Sequence, residues 1–99
     1  MVPSGVIVAS RRQRKQQMNK IYRATASWCG PCKSLAKVLD TINLDVPIEV
    51  VDIDENQEFA EKFGIRNVPV LIGMEDDKEV SRLIGLKSAE QIRDWVTLN

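Results

Sequence analysis

Two spacings of apolar residues divide this chain into short elements. Lys20–Ala26 is brief and rich in β-favouring side chains (Ile21, Tyr22, Thr25), which predicts a buried strand. Pro31 suits the first turn of a helix, where its missing N–H has no partner to lose. Leu35, Ala36, Leu39 and Ile42 follow Cys32 at helical spacing and predict an amphipathic helix of about three turns reaching Asn43. Pro47 breaks that pattern, and Ile48–Ile53 reads as a second strand. Phe59 and Phe63 lie one helical turn apart, and Gly64 closes their helix as a left-handed cap. Pro69–Met74 is a third strand, followed by the turn Glu75-Asp76-Asp77-Lys78, with Asp77 expected to take positive φ. Glu79–Ile84 is a fourth strand in which Val80, Arg82 and Ile84 alternate against Ser81 and Leu83. Ser88 and Gln91 make a capping box for a last helix whose buried stripe is Ile92, Trp95 and Val96.

The order is β-α-β-α-β-β-α, an α/β class. A βαβ crossover makes the first two strands parallel, and the short turn makes the last two an antiparallel hairpin. The expected architecture is a mixed four-stranded sheet with helices on both faces.

Residues 1–17 stand apart. They hold one apolar run, Val6–Ala9, and then Ser10 to Gln17, which offers no apolar face. A secretory signal would place its charges before a longer apolar run. The segment therefore reads as a flexible basic leader, with a short strand at Val6–Ala9 as one option, ahead of a domain at 18–99. Met18 is an alternative translation start on this reading.

Composition narrows the chemistry. Ninety-nine residues suffice for one small core. No stretch approaches the ~20 apolar residues of a membrane helix. Basic and acidic groups balance at fourteen each, so the whole chain is no polyelectrolyte partner for nucleic acid. Four of the basic groups (Arg11, Arg12, Arg14, Lys15) sit in the leader, leaving ten basic against fourteen acidic groups, a formal charge of −4, in the remainder. A basic arm touching nucleic acid or an acidic partner is the sharper reading of that leader; a solvated tail is the one its composition favours. Histidine is absent, which removes imidazole bases and His metal ligands together. Two cysteines exclude a disulfide-dense scaffold and a four-thiolate zinc site within one chain.

Those cysteines lie in Trp28-Cys29-Gly30-Pro31-Cys32-Lys33, where a strand ends and a helix begins. Thiols at i and i+3 on a helical turn are within disulfide reach. Cys29, at the helix start, faces unsatisfied N–H groups and the positive end of the helix dipole, both of which favour thiolate. Cys32 lies a turn inside, more buried and protonated. Spacing thus makes Cys29 the thiol that attacks a disulfide and Cys32 the one that resolves the mixed disulfide. Lys33 adds a weak positive charge, or is a solvated helix residue. Three plainer readings stay open: half of a zinc knuckle completed by dimerisation, a structural disulfide, and two incidental buried cysteines.

The chain resembles the thioredoxin family from about residue 20 to 97. The Trp28–Lys33 motif, Gly64-Ile65-Arg66-Asn67-Val68-Pro69 and Ile84-Gly85 match the family's active-site motif, cis-proline loop and last substrate-facing loop. The front end is similar to the compact thioredoxins and glutaredoxin-like proteins of phages and archaea, which lack the family's first strand and helix. The resemblance implies a cis Val68–Pro69 bond beside the cysteines. It further implies a flat apolar collar of Trp28, Gly30, Val68, Gly85 and Leu86, with Val68 backbone groups pairing with an extended substrate. It also implies a protein disulfide reductase with no bound cofactor or metal, only the redox-active Cys29–Cys32 pair. The expected partners are disulfide-bearing proteins and a thioredoxin reductase, and the expected setting is a monomer in the cytoplasm, away from membrane and nucleic acid. A glutathione-dependent, glutaredoxin-like cycle is the rival within this class. From another class comes a redox-silent docking subunit for a polymerase.

One position departs from the family. Its usual buried carboxylate, six residues before the first cysteine, is Arg23 here, and the lysine that pairs with it is Val50. Asp52 lies two residues after Val50, hence on the same sheet face. Either an Arg23–Asp52 ion pair forms beneath the cysteines, or Arg23 snorkels to an open edge.

Overall fold

A computed structural model of the chain describes residues 18–98. The expected leader at 1–17 and its strand at 6–9 lie outside the described residues. Seven elements follow one another: β1 (Lys20–Thr25), α1 (Gly30–Asp40), β2 (Ile48–Asp52), α2 (Gln57–Phe63), β3 (Val70–Glu75), β4 (Lys78–Ile84) and α3 (Ala89–Leu98). They form one mixed sheet of order β2-β1-β3-β4. β1 runs parallel to β2 and antiparallel to β3, which forms the hairpin with β4. Among the described residues no strand or helix precedes β1.

Period-two alternation sends each strand's side chains to two cores. On one face Ile21 and Leu71 pack with Leu35 of α1 and with Ile92 and Trp95 of α3. On the other face Ala24, Val70 and Ile72 meet Phe59 and Phe63 of α2. β3 lies between two neighbours and is buried from Val70 to Met74, as a central strand should be.

Caps fix where the helices begin and end. Asn56 accepts from the Phe59 amide at the start of α2, and Gly64 ends it at φ 63° in the left-handed region. The capping box is present: the Gln91 amide donates to Ser88 Oγ at 3.1 Å and the Ser88 amide to Gln91 Oε1 at 3.0 Å.

Three details differ from the sequence expectation. α1 stops at Asp40 rather than Asn43, because the Thr41 amide and hydroxyl both turn back onto the Val38 carbonyl. Positive φ falls on Asp76 (57°), not Asp77. Asn19 explains the choice, since it accepts from the Asp76 amide and donates to its carboxylate, both at 3.0 Å. The alternation in β4 is broken by a bulge. Gly73 faces Ser81 and Met74 faces Glu79, so Val80 has no opposite number and packs with Leu83 on the α1/α3 side.

Candidate active site

The chain leaves β1 through Ala26, Ser27 and Trp28, and Cys29 becomes the N-cap of α1. Its backbone is extended (φ −94°, ψ 109°), and its sulfur accepts the Cys32 N–H at 3.1 Å. An N-cap oxygen ordinarily satisfies one of the four orphan amides at a helix start; here a sulfur atom takes that place. Gly30 and Pro31 follow as the first helical residues, both exposed. Cys29 and Cys32 form a disulfide, their Cα atoms 5.3 Å apart. The expected contrast in burial is slight, with Cys29 4% exposed and Cys32 1%.

Two loops close around this pair. The Val68–Pro69 peptide is cis, and the Val68 carbonyl oxygen lies 3.6 Å from Cys29 Sγ. Gly85, at φ 91°, donates its amide to the Pro69 carbonyl at 2.9 Å, so this loop is tied to the proline. A Cβ at Gly85 would meet nothing nearby. The glycine is needed for its backbone angle and not for space. Trp28 and Leu86 are exposed apolar side chains.

Sequence reasoning missed one contributor and left a second out of the collar. Trp28 donates its indole N–H to Asp54 Oδ2 at 2.8 Å, which fixes the ring's orientation. Ile84, 58% exposed at the end of β4, adds to the apolar surface beside Gly85. The acidic run around Asp54 carried no spacing signal toward Trp28. Ile84 reads by sequence as a strand end that, with Gly85, matches the last substrate-facing loop, but the expected collar does not include it.

The Arg23–Asp52 ion pair does not form. Register places Arg23 opposite Val50 and Thr25 opposite Asp52, so the two charges sit diagonally on one face. Asp52 instead accepts the Asp54 amide at 2.8 Å, a local turn bond that holds the carboxylate at its own end of the strand. Both residues, with exposed Lys33, line a cavity of about 250 Å³ that reaches Cys32. Among the described residues no group of three or more His, Cys, Asp or Glu side chains is placed to hold a metal. No described helix is long and apolar enough to cross a membrane.

Comparison with known proteins agrees with this geometry. A family model described as Thioredoxin matches residues 10–98. Thioredoxin of Chlamydia muridarum is 41% identical over 70 residues, covering 68% of this chain and 69% of the relative. Thioredoxin of Bacillus subtilis is 37% identical over 75 residues, covering 72% of each. Among solved structures, a mutant thioredoxin from Halobacterium salinarum superposes with a TM-score of 0.73 at 30% identity, over 83% of this chain and 75% of that one. Fasciola hepatica thioredoxin gives 0.71 at 25% identity, over 92% and 91%. With a Cys29–Cys32 disulfide at the start of a helix in this fold, and with the family model and the thioredoxin relatives it matches, the chain is a thiol–disulfide oxidoreductase belonging to the thioredoxin family.

Proposed function

We propose that the chain reduces protein disulfides, with Cys29 as nucleophile and Cys32 as resolving thiol. The observation that supports this assignment is the 3.1 Å contact from the Cys32 amide to Cys29 Sγ. After reduction the same amide, backed by the helix dipole, stabilises a Cys29 thiolate. That thiolate attacks one sulfur of the substrate disulfide and expels the other as a thiolate, leaving Cys29 in a mixed disulfide. Cys32, losing its proton, then attacks Cys29 Sγ. The Cys29–Cys32 bond forms and the substrate leaves as a dithiol, having taken up two electrons and two protons overall.

Trp28, Gly30, Pro31, Val68, Pro69, Gly85 and Leu86 receive the substrate on this reading, with an extended segment alongside Val68. A thioredoxin reductase returns two electrons to the disulfide, with no bound cofactor or metal on this chain. Such a cycle needs a reducing compartment, which favours the cytoplasm. The acting unit is a monomeric domain over 18–99.

Insulin reduction in the presence of dithiothreitol tests the roles by turbidity. Wild type should accelerate precipitation. Cys29→Ser should abolish the acceleration, and Cys32→Ser should accumulate mixed disulfides visible by mass. Acceleration that survives in Cys29→Ser contradicts the assignment.

A further inference from the structure

The cavity that reaches Cys32 has an unusual wall. Arg23 of β1, Asp52 of β2 and Lys33 of α1 line it, with Thr25 and Ser27 toward its mouth. These three are the charged groups facing Cys32 across the hollow. Arg23 is half-buried, and among the described residues its guanidinium makes neither an ion pair nor a side-chain hydrogen bond. A second hollow on its far side carries Asp40, again with no ion pair to Arg23. Asp52 bonds the Asp54 amide and does not neutralise Arg23. Lys33 is exposed, so solvent screens it. Two positive groups thus stand against one negative group around the hollow, and Arg23 is not neutralised by a direct ion pair.

Cys32 is 1% exposed, and burial by itself raises a thiol's pKa. Resolution of the mixed disulfide nevertheless requires a Cys32 thiolate. We propose that Arg23 acts as a positioning charge for this step. Across the cavity its guanidinium offsets the desolvation of the Cys32 thiolate, so the resolving thiol ionises without an internal carboxylate base. The released proton leaves through the cavity, whose volume admits water, and the departing substrate thiolate takes up one from solvent. No atom is added or lost beyond the exchange already described. The inference rests on Cys32 being the resolving thiol.

Titration of Cys32 in a Cys29→Ser chain tests it. In the mixed disulfide Cys29 is uncharged, and serine reproduces that condition. Thiolate absorbance against pH gives the Cys32 midpoint directly. Arg23→Met, which keeps an apolar stem, and Arg23→Gln, which keeps polarity, should each raise the midpoint by about one pH unit. Arg23→Lys should restore it, an outcome that a purely structural role would not produce. Asp52→Asn should lower it, because the one opposing charge on the wall is removed. An unchanged midpoint in whichever neutral Arg23 variant folds overturns the proposal, as does failure of lysine to restore it. Because the titration reads Cys32 whichever thiol attacks first, a negative result counts against Arg23 alone. The insulin assay decides the roles separately.

Discussion

Sulfur in an N-cap position joins two demands in one atom. As acceptor for the Cys32 amide, Cys29 Sγ helps start α1, and as thiolate it is the nucleophile the same amide would stabilise. Trp28 beside it is exposed, so its orientation depends on the Asp54 bond and not on packing. Asp54→Ala should leave thermal stability within about 1 kcal/mol of wild type, since the bond is exposed. The same change should lower kcat/KM for a protein disulfide by about three- to fivefold, because Trp28 is left free to rotate. Steady-state kinetics on insulin measures this, and an unchanged kcat/KM removes Trp28 orientation from substrate binding. At this scale the cysteines, the glycine and proline between them, and the Gly85 turn were legible, because each is a residue type with a special backbone or chemical property. Asp54 and the separation of Arg23 from Asp52 were not. The first depends on where a loop carries a side chain and the second on the register of β1 against β2, and no periodicity encodes either.

Helices and strands here are held at their ends as much as by their faces. Arg82 shows this best. Its Nε and Nη2 grip the Glu79 carboxylate at 2.7 and 2.8 Å, and Nη2 also donates to the Phe63 carbonyl at 2.7 Å. A C-terminal carbonyl of α2, orphaned by the helix end, is thereby tied to β4. Glu79 raises the Arg82 pKa from its ordinary value, chiefly through the hydrogen bond. Arg82→Met should cost about 1–2 kcal/mol in urea unfolding, more than a surface ion pair gives, because a backbone acceptor is left without its partner. A cost below ~0.5 kcal/mol would mean that the Phe63 carbonyl finds water instead. Element type and order could be read from the sequence because apolar spacing, Gly64 and the Ser88–Gln91 box all point the same way. The β4 bulge could not, since the residue that skips register, Val80, fits the alternation equally well by pattern alone.

The molecule as a whole is a sheet with one core on each face, and its described part begins with a side chain that belongs to the first of them. Met18 is 6% exposed and packs over Gly73, where an added Cβ would stand 2.6 Å from its Cε. Met18→Ala should therefore destabilise by about 2 kcal/mol or more, a value typical of an emptied core site, with the reductase activity of the folded fraction unchanged. A loss near zero would place residue 18 outside the cooperative unit and move the proposed domain start. Cysteine chemistry is carried at the edge of this body, where β1 ends and three loops meet. The most direct measurement of the central claim is alkylation of the freshly reduced chain with iodoacetamide across pH, with each thiol followed by peptide mass. Cys29 should label with a midpoint about one to two units below an ordinary thiol, while Cys32 stays protected in the folded state. Slow labelling of both at neutral pH, with equal rates and a midpoint like that of a free cysteine, would contradict a nucleophile made by the start of a helix.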